Sequence, residues 1–450
     1  MIGLAITLFI VVWIIGKIPF FLQSGLKPWC LRTLFVIKVA VGCVLLHVYS
    51  SYYTEETSDM YIFFKDGNIM YSVLEKSPAD YLSILTGIGG DRPHMMEYYD
   101  SMSHWLKPFD DKIYNDNKII IRLNGVIRIF SRGNIYIHLV VFNFLSFIGL
   151  IGFCRFASEF VSRRKKTLIV LFSFLMPSVL VWSSGMLKES VLIFALGIAV
   201  WLLYKTLFKK VKWYNLLILA FTIVLLSLIK FYVFLSLIPS LIWFCYYRFR
   251  PRKMLLSYIV IHAILALLAF NFHWLFNNYD LMKMIATKQH DFINMITYLT
   301  EAGSAISLPY LDGSLLSMLK AIPYGLYNSF CRPHIFEWHN ILALISAVEN
   351  LILNVTMIGS LIFAKLKNFK SAFILISISF VFILFSIIGI TTPVLGALVR
   401  YKMPGLLFLG ATMVMIVDPY KIKKIVEEIN SKLATKLNNS LTKLTDLMII

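Results

Sequence analysis

The sequence predicts an all-α, polytopic membrane protein, and three observations carry that prediction. The chain of 450 residues is 59% hydrophobic and only 15% charged. Apolar runs of about 17–25 residues, the length that crosses a bilayer, recur from one end to the other. Short basic clusters fall after alternate runs, where the positive-inside rule puts cytoplasmic turns. A soluble domain could not cover that much apolar surface with a solvated exterior. The net charge of +19 therefore belongs to those turns, and no nucleic-acid partner is implied. Cys30, Cys43, Cys154, Cys245 and Cys331 are scattered without paired spacing. They read as small packing residues rather than disulfides or metal ligands.

Taken in order, the pattern gives about eleven transmembrane helices. The first covers about 2–22. No positive residue precedes Ile2 to Ile15, so it reads as a retained helix with its N-terminus outside rather than a secretory signal. Lys17, Lys27, Arg32 and Lys38 mark a cytoplasmic turn, and the second span, about 32–50, returns outward. The third, about 137–158, comes in to Arg163-Arg164-Lys165-Lys166, and the fourth, about 167–182, goes out. Pro177 breaks or kinks that fourth helix, and Gly185 permits a tight turn before the fifth span, about 190–206. Only Lys230 separates the sixth and seventh, about 214–230 and 232–247. The eighth covers about 255–274, the ninth about 338–364, the tenth about 371–390 and the eleventh about 403–418. Every turn that this order puts in the cytoplasm is basic.

The expected organisation is one helical membrane domain over 1–418, with large outer loops at 51–136 and 275–336. Within the first loop, which lies between helices 2 and 3, Ile62 to Ile88 mixes apolar and polar residues as a surface helix does. The tail, 419–450, carries Ile422, Val426, Ile429, Leu433, Leu437, Leu441, Leu444 and Met448 at helical spacing with lysines between. It reads as an amphipathic, basic cytoplasmic helix suited to an anionic leaflet.

Charges near membrane depth cost several kcal/mol and need a reason. Lys188 and Glu189 sit in a turn too short to be a solvated loop. They suit a cation for phosphate beside a carboxylate, and also an interfacial pair capping the fifth helix. Lys230 is stranded between Ile229 and Phe231, and its alternative is a tight outer turn reaching headgroups. Arg332, near Glu337, also reads as a solvated loop arginine, Glu349 as a helix-packing residue and Arg400 as a boundary arginine. Together Lys188, Lys230, Arg332, Arg400 and Lys402 fall on the side of the loop that carries Glu55, Glu56 and Asp59. Such cations suit a lipid phosphate or pyrophosphate, with arginine binding it as a fork and lysine as a point charge. A carboxylate beside them can act as general base. Asp59, directly after Ser58, also reads as a plain helix N-cap. His94, His104, His290, His334 and His339 lack paired spacing on one helix face, so no metal site is expected. There is no P-loop, dinucleotide fingerprint or nucleophile elbow.

A resemblance rests on this layout. The acidic outer loop at Ser58-Asp59-Met60-Tyr61, the many spans, and the basic short outer loops resemble the GT-C superfamily of integral membrane glycosyltransferases. Asn143 to Gly149, Pro177 to Glu189, and Arg400-Tyr401-Lys402-Met403-Pro404 resemble segments of bacterial surface-polysaccharide membrane proteins. The resemblance implies an inverting sugar transfer on the outer face of the bacterial inner membrane, and the order of basic turns puts the C-terminus in the cytoplasm. Asp59 would be the base, and the donor would be a polyprenyl (pyro)phosphate-linked sugar held at its phosphate by Lys188, Lys230, Arg332, Arg400 and Lys402. Glu55, Glu56, Glu189, Glu337 and Glu349 would support them. The partners implied are the lipid carrier and a saccharide acceptor. No cofactor is certain, and no pattern supports a divalent metal. The acidic loop follows the second helix here, whereas in that superfamily it usually follows the first. That departure keeps the Wzy-type repeat-unit polymerases as an alternative. A lipid-linked sugar transporter is a further one, which the lack of an internal repeat argues against.

Overall fold

The computed structural model describes residues 2–52, 54–106, 115–275, 280–298, 303–338 and 340–424, with 427, 431 and 432. Among these residues the chain is helical throughout, with two isolated bridges, Ala305 to Val394 and Ala364 to Val417. Seven helices are long and apolar enough to cross a membrane: Pro28–Ser51, Ile135–Ser158, Lys188–Phe208, Phe231–Phe249, Pro251–Phe270, Ile341–Ile362 and Ala372–Thr391. The bent pair Leu395–Tyr401 and Met403–Ile416 makes an eighth if it is counted as one span. Gly3–Ile15 and Trp213–Ile229 are shorter apolar helices. The expected fourth span is broken at Met176, where Pro177 starts a new short helix, Pro177–Trp182. Proline lacks the N–H that would continue the preceding helix, and its ring suits a first turn.

The core is built on close backbone approach. Ile135–Ser158 and Lys188–Phe208 cross at Gly149 and Gly197. A Cβ on either glycine would overlap the backbone of the facing helix. Small residues at such crossings let membrane helices pack by dispersion alone. The crossing fixes where the N-terminal end of Lys188–Phe208 stands.

Three expectations are corrected here. Lys38 does not mark a turn: it lies inside the Pro28–Ser51 helix and is fully buried. Its ammonium donates to the Ser183 carbonyl, to Ser183 Oγ at 2.7 Å and to Ser184 Oγ at 3.1 Å. The residues after Trp182 are thus unwound inside the protein, and Lys38 reaches the Ser183 carbonyl and the two serine hydroxyls, as a cation does at a helix C-terminus. The 275–336 segment is not simply a loop. It contains the helices Leu281–Tyr298 and Leu315–Cys331, and the second packs along Ala372–Thr391. Asn328 Nδ2 donates to the Gly389 carbonyl at 3.0 Å and Ser329 Oγ to the Phe385 carbonyl at 2.7 Å. Those polar residues dilute the apolar pattern but bond to the neighbouring helix. Finally, the helix expected over Ile62 to Ile88 is two helices, Asp59–Lys76 and Pro78–Thr86, and with Met95–Asp100 and Asn117–Ser131, also among the described residues of 51–136, they turn apolar faces into the main core rather than lying apart on the surface. Of the C-terminal tail, Val426, Ile429 and the periodic positions from Leu433 to Met448 lie outside the described residues.

Candidate functional site

Asp59 opens the Asp59–Lys76 helix; the N-cap is Ser58. The Asp59 carboxylate is therefore not the cap. It accepts from Arg400 Nη1 at 3.1 Å, and its other oxygen lies 3.7 Å from His104 Nε2. The His104 ring meets Phe63 edge-on, and Asp66 receives the backbone N–H groups of Ser103 and His104, each at 2.9 Å. Asp66 is about two turns along the same helix from Asp59, so a single helix presents one carboxylate and anchors the segment bearing the histidine.

Arg400 comes from the opposite part of the chain. It sits near the end of Leu395–Tyr401, just before a 56° bend. Its second terminal nitrogen lies 2.7 Å from a Glu189 oxygen, and the Glu189 side chain is 1% exposed. One planar guanidinium thus bridges two carboxylates, which an ammonium could not do with the same geometry. The Trp182 ring lies 5.8 Å from its centre.

Lys188 and Glu189 are the first two residues of Lys188–Phe208. The two side chains take different partners. Lys188 Nζ lies 2.8 Å from Asp116, and Lys230 Nζ lies 3.9 Å from the other Asp116 oxygen. Lys230 also lies over the Tyr401 ring at 4.5 Å and near Tyr232 at 5.8 Å, both within cation–π range. It stands between Trp213–Ile229 and Phe231–Phe249, where the sequence placed a tight turn.

The cluster therefore holds three cations, Lys188, Lys230 and Arg400, and three carboxylates, Asp59, Asp116 and Glu189. Burial alone would raise the Asp59 carboxyl. Contact with His104 and the charges of Arg400 and Lys188 outweigh burial and hold it well below the usual carboxylate range. The cations are matched in number by fixed acids, so an incoming phosphate must compete for them.

Two expected cations lie elsewhere. Arg332 is bound by Glu337 through Nε at 2.7 Å and through a second guanidinium nitrogen, and Glu337 also accepts the His334 N–H at 3.0 Å. Burial opposes the charge on Glu337, but Arg332 and His334 hold its carboxyl below the ordinary value. Lys402 is 2% exposed, and its ammonium donates to Asn350 Oδ1 at 2.8 Å and to the Arg332 carbonyl at 3.2 Å. The bend after Arg400 carries Lys402 into this packing between helices. Glu349 does not approach Asp59 either. It receives the Ser178 N–H at 2.8 Å and the Ser178 hydroxyl at 2.6 Å, the place of a carboxylate at a helix N-terminus. Glu55 pairs with Lys65 at 3.9 Å across open surface, and Glu56 is exposed. Sequence reasoning missed Asp116 and His104. Both lie in the loop that carries Asp59, but nothing in their spacing sets them apart from its other acids and histidines. Among the described residues no three His, Cys, Asp or Glu side chains are arranged to hold a metal ion.

No family model matches the chain, and no curated protein or solved structure does so either.

Proposed function

We propose that this chain is an integral membrane glycosyltransferase that takes a sugar from a polyprenyl (pyro)phosphate carrier and passes it to a saccharide acceptor. The observation that supports this reading is the Asp59–Arg400–Glu189 chain of charges beside Lys188 and Lys230. In the proposed reaction the donor phosphate draws Arg400, Lys188 and Lys230 away from their carboxylates. A carboxylate pinned by arginine is a weak base, and losing that partner raises its basicity. Asp59 then accepts the proton of the acceptor hydroxyl. The hydroxyl oxygen bonds to the anomeric carbon from the face opposite the carrier. The bond from that carbon to the phosphate oxygen breaks, and the carrier leaves with the electron pair on the phosphate. Configuration inverts. The cations, bound to that phosphate, offset its growing charge.

The finer topology belongs to the same proposal: eleven crossings, the site on the outer face of the bacterial inner membrane, the N-terminus outside and the C-terminus in the cytoplasm. The helices Gly3–Ile15 and Pro28–Ser51 both precede the Asp59 loop. That order favours the repeat-unit polymerases as the second reading. One experiment tests both. In a strain deleted for this chain, lipid-linked saccharides extracted from membranes accumulate as an unextended intermediate. Loss of one sugar from the product supports the single transfer. Single repeat units in place of chains support the polymerase. An unchanged pool of lipid-linked saccharides refutes both.

A further inference from the structure

A second basic site lies at the far end of Met403–Ile416, the helix that follows Arg400 after the 56° bend. Ile374, near the start of Ala372–Thr391, and Met415, near the end of Met403–Ile416, line a cavity of about 380 Å³. At 1.5 Å per residue, fourteen residues of Met403–Ile416 separate it from the bend by about 20 Å. Lys165, Lys367 and Lys370 contribute to the cavity wall; among the described residues no carboxylate lines it, and the nearby Asp418 lies 3.9 Å from Lys365.

The wall is held in place. Lys165 Nζ donates to the carbonyls of Met415 at 2.9 Å and Val417 at 2.7 Å, so its charge is fixed at the end of Met403–Ile416. The lysine-bearing turn Leu366–Lys370 is tied to the same end. Asn368 Nδ2 donates to the Met415 and Ile416 carbonyls, each at 3.1 Å, and the Lys365 N–H donates to Ile416 at 3.0 Å. Two helices begin at the cavity, Arg163–Leu175 after Ser162 and Ala372–Thr391 after Ser371, and neither serine side chain caps its own helix. The first N–H groups of a helix have no partner within it and favour an anion. Lysine charges and two helix starts thus face one space wide enough for a headgroup.

We propose that this cavity binds a phosphate group, presented by an anionic lipid of the adjoining leaflet or by a soluble phosphate. Basic pockets between membrane helices take phospholipid headgroups by this chemistry. The site does not depend on the glycosyltransferase reading, since it shares no residue with the Asp59 cluster.

The test uses the purified full-length protein, delipidated in detergent at constant ionic strength. Its thermal unfolding is followed against phosphatidylglycerol, phosphatidylcholine and inorganic phosphate. Phosphatidylglycerol raises the midpoint saturably and phosphatidylcholine does not. The double variant Lys367→Gln/Lys370→Gln weakens the apparent affinity on the order of tenfold or more, and Lys370→Gln alone by less. Both lysines are exposed, so the fold tolerates the changes. The control pair Arg252→Gln/Lys253→Gln, on another basic turn, leaves affinity within about twofold. Stabilisation by inorganic phosphate alone, lost in the same double variant, supports the site and assigns it to a soluble ligand. No stabilisation by either ligand, or an equal loss in the control pair, overturns it.

Discussion

Glu189 and Arg400 form the most deeply buried ion pair of the candidate site, and a double-mutant cycle reads their coupling. Glu189 is 1% exposed and Arg400 14% exposed, with 2.7 Å between charged atoms. Removing one member of a buried pair typically costs about 3–5 kcal/mol, because the other charge is left uncompensated. Arg400 keeps a second partner in Asp59, whose side chain is 39% exposed. Glu189→Gln therefore falls toward the lower end of that range, at about 3 kcal/mol. Arg400→Gln leaves Glu189 buried without its guanidinium and sits toward the upper end. The double variant removes both charges, so its loss is smaller than the sum of the two single losses. The coupling expected is about 2–3 kcal/mol, at the top of the range for residues in contact. The assay is denaturant unfolding in mixed micelles of wild type, both single variants and the double. Losses that add to within about 0.5 kcal/mol, the behaviour of distant sites, would refute the pairing on which the site is built.

Further predictions concern the surroundings of that pair. Arg400→Lys lowers product formation by at least tenfold in membranes at matched protein level, because an ammonium cannot bridge two carboxylates; Arg332→Ala, whose partner is Glu337, stays within a few-fold. Asp66→Asn loses one of two backbone acceptor bonds and costs about 1–3 kcal/mol; unfolding checks the cost, and a parallel fall in activity checks that His104 is held through it. Asp59 is depressed in the folded chain, so its stabilising contribution is present above its unfolded value, about 3.9, and is lost as pH falls through the lower folded value. A stability profile shows the loss from this group beginning only as pH falls through about 3.9, and in Arg400→Met, where the folded carboxyl rises toward that value, the acid loss from Asp59 is smaller. Lys38→Met is tolerated to within about 1 kcal/mol, since the Ser183 carbonyl keeps the hydroxyls of Ser146 and Ser190 as donors; Lys38→Glu faces the same carbonyl with a carboxylate and yields no folded protein.

Much of the fold was legible because membrane helices announce themselves by length and hydropathy. The segments from Ile135, Lys188, Phe231, Ile341 and Ala372 are each read from the sequence within a few residues. What was not legible depends on polar residues that satisfy one another. Lys38 looks like a topology marker until Ser183 and Ser184 are seen to receive it. Leu315–Cys331 looks too polar for the interior until Asn328 and Ser329 are seen bonding to another helix. In the site, Lys188, Glu189, Lys230 and Arg400 were singled out by charge at an expensive depth and Asp59 by its place at the membrane end of the acidic loop and by the resemblance, and the fold gathers them. Arg332 and Lys402 gave the same signal, but it measures only the need for a partner. Glu337 and Asn350 meet that need away from Asp59. Asp116 was hidden because it lies in a hydrophilic loop, where charge costs nothing and carries no signal.

The central claim is that Asp59 accepts a proton during sugar transfer. Asparagine preserves the shape and the helix-start preference of aspartate but cannot take that proton. Membranes carrying Asp59→Asn, at matched protein level and with unfolding within about 1 kcal/mol of wild type, are assayed for transfer from a polyprenyl-linked donor. The account predicts a loss of turnover on the order of a hundredfold or more, with donor binding retained. Turnover near that of the wild type would contradict it, and Glu189 and Asp116 would be the next carboxylates to test.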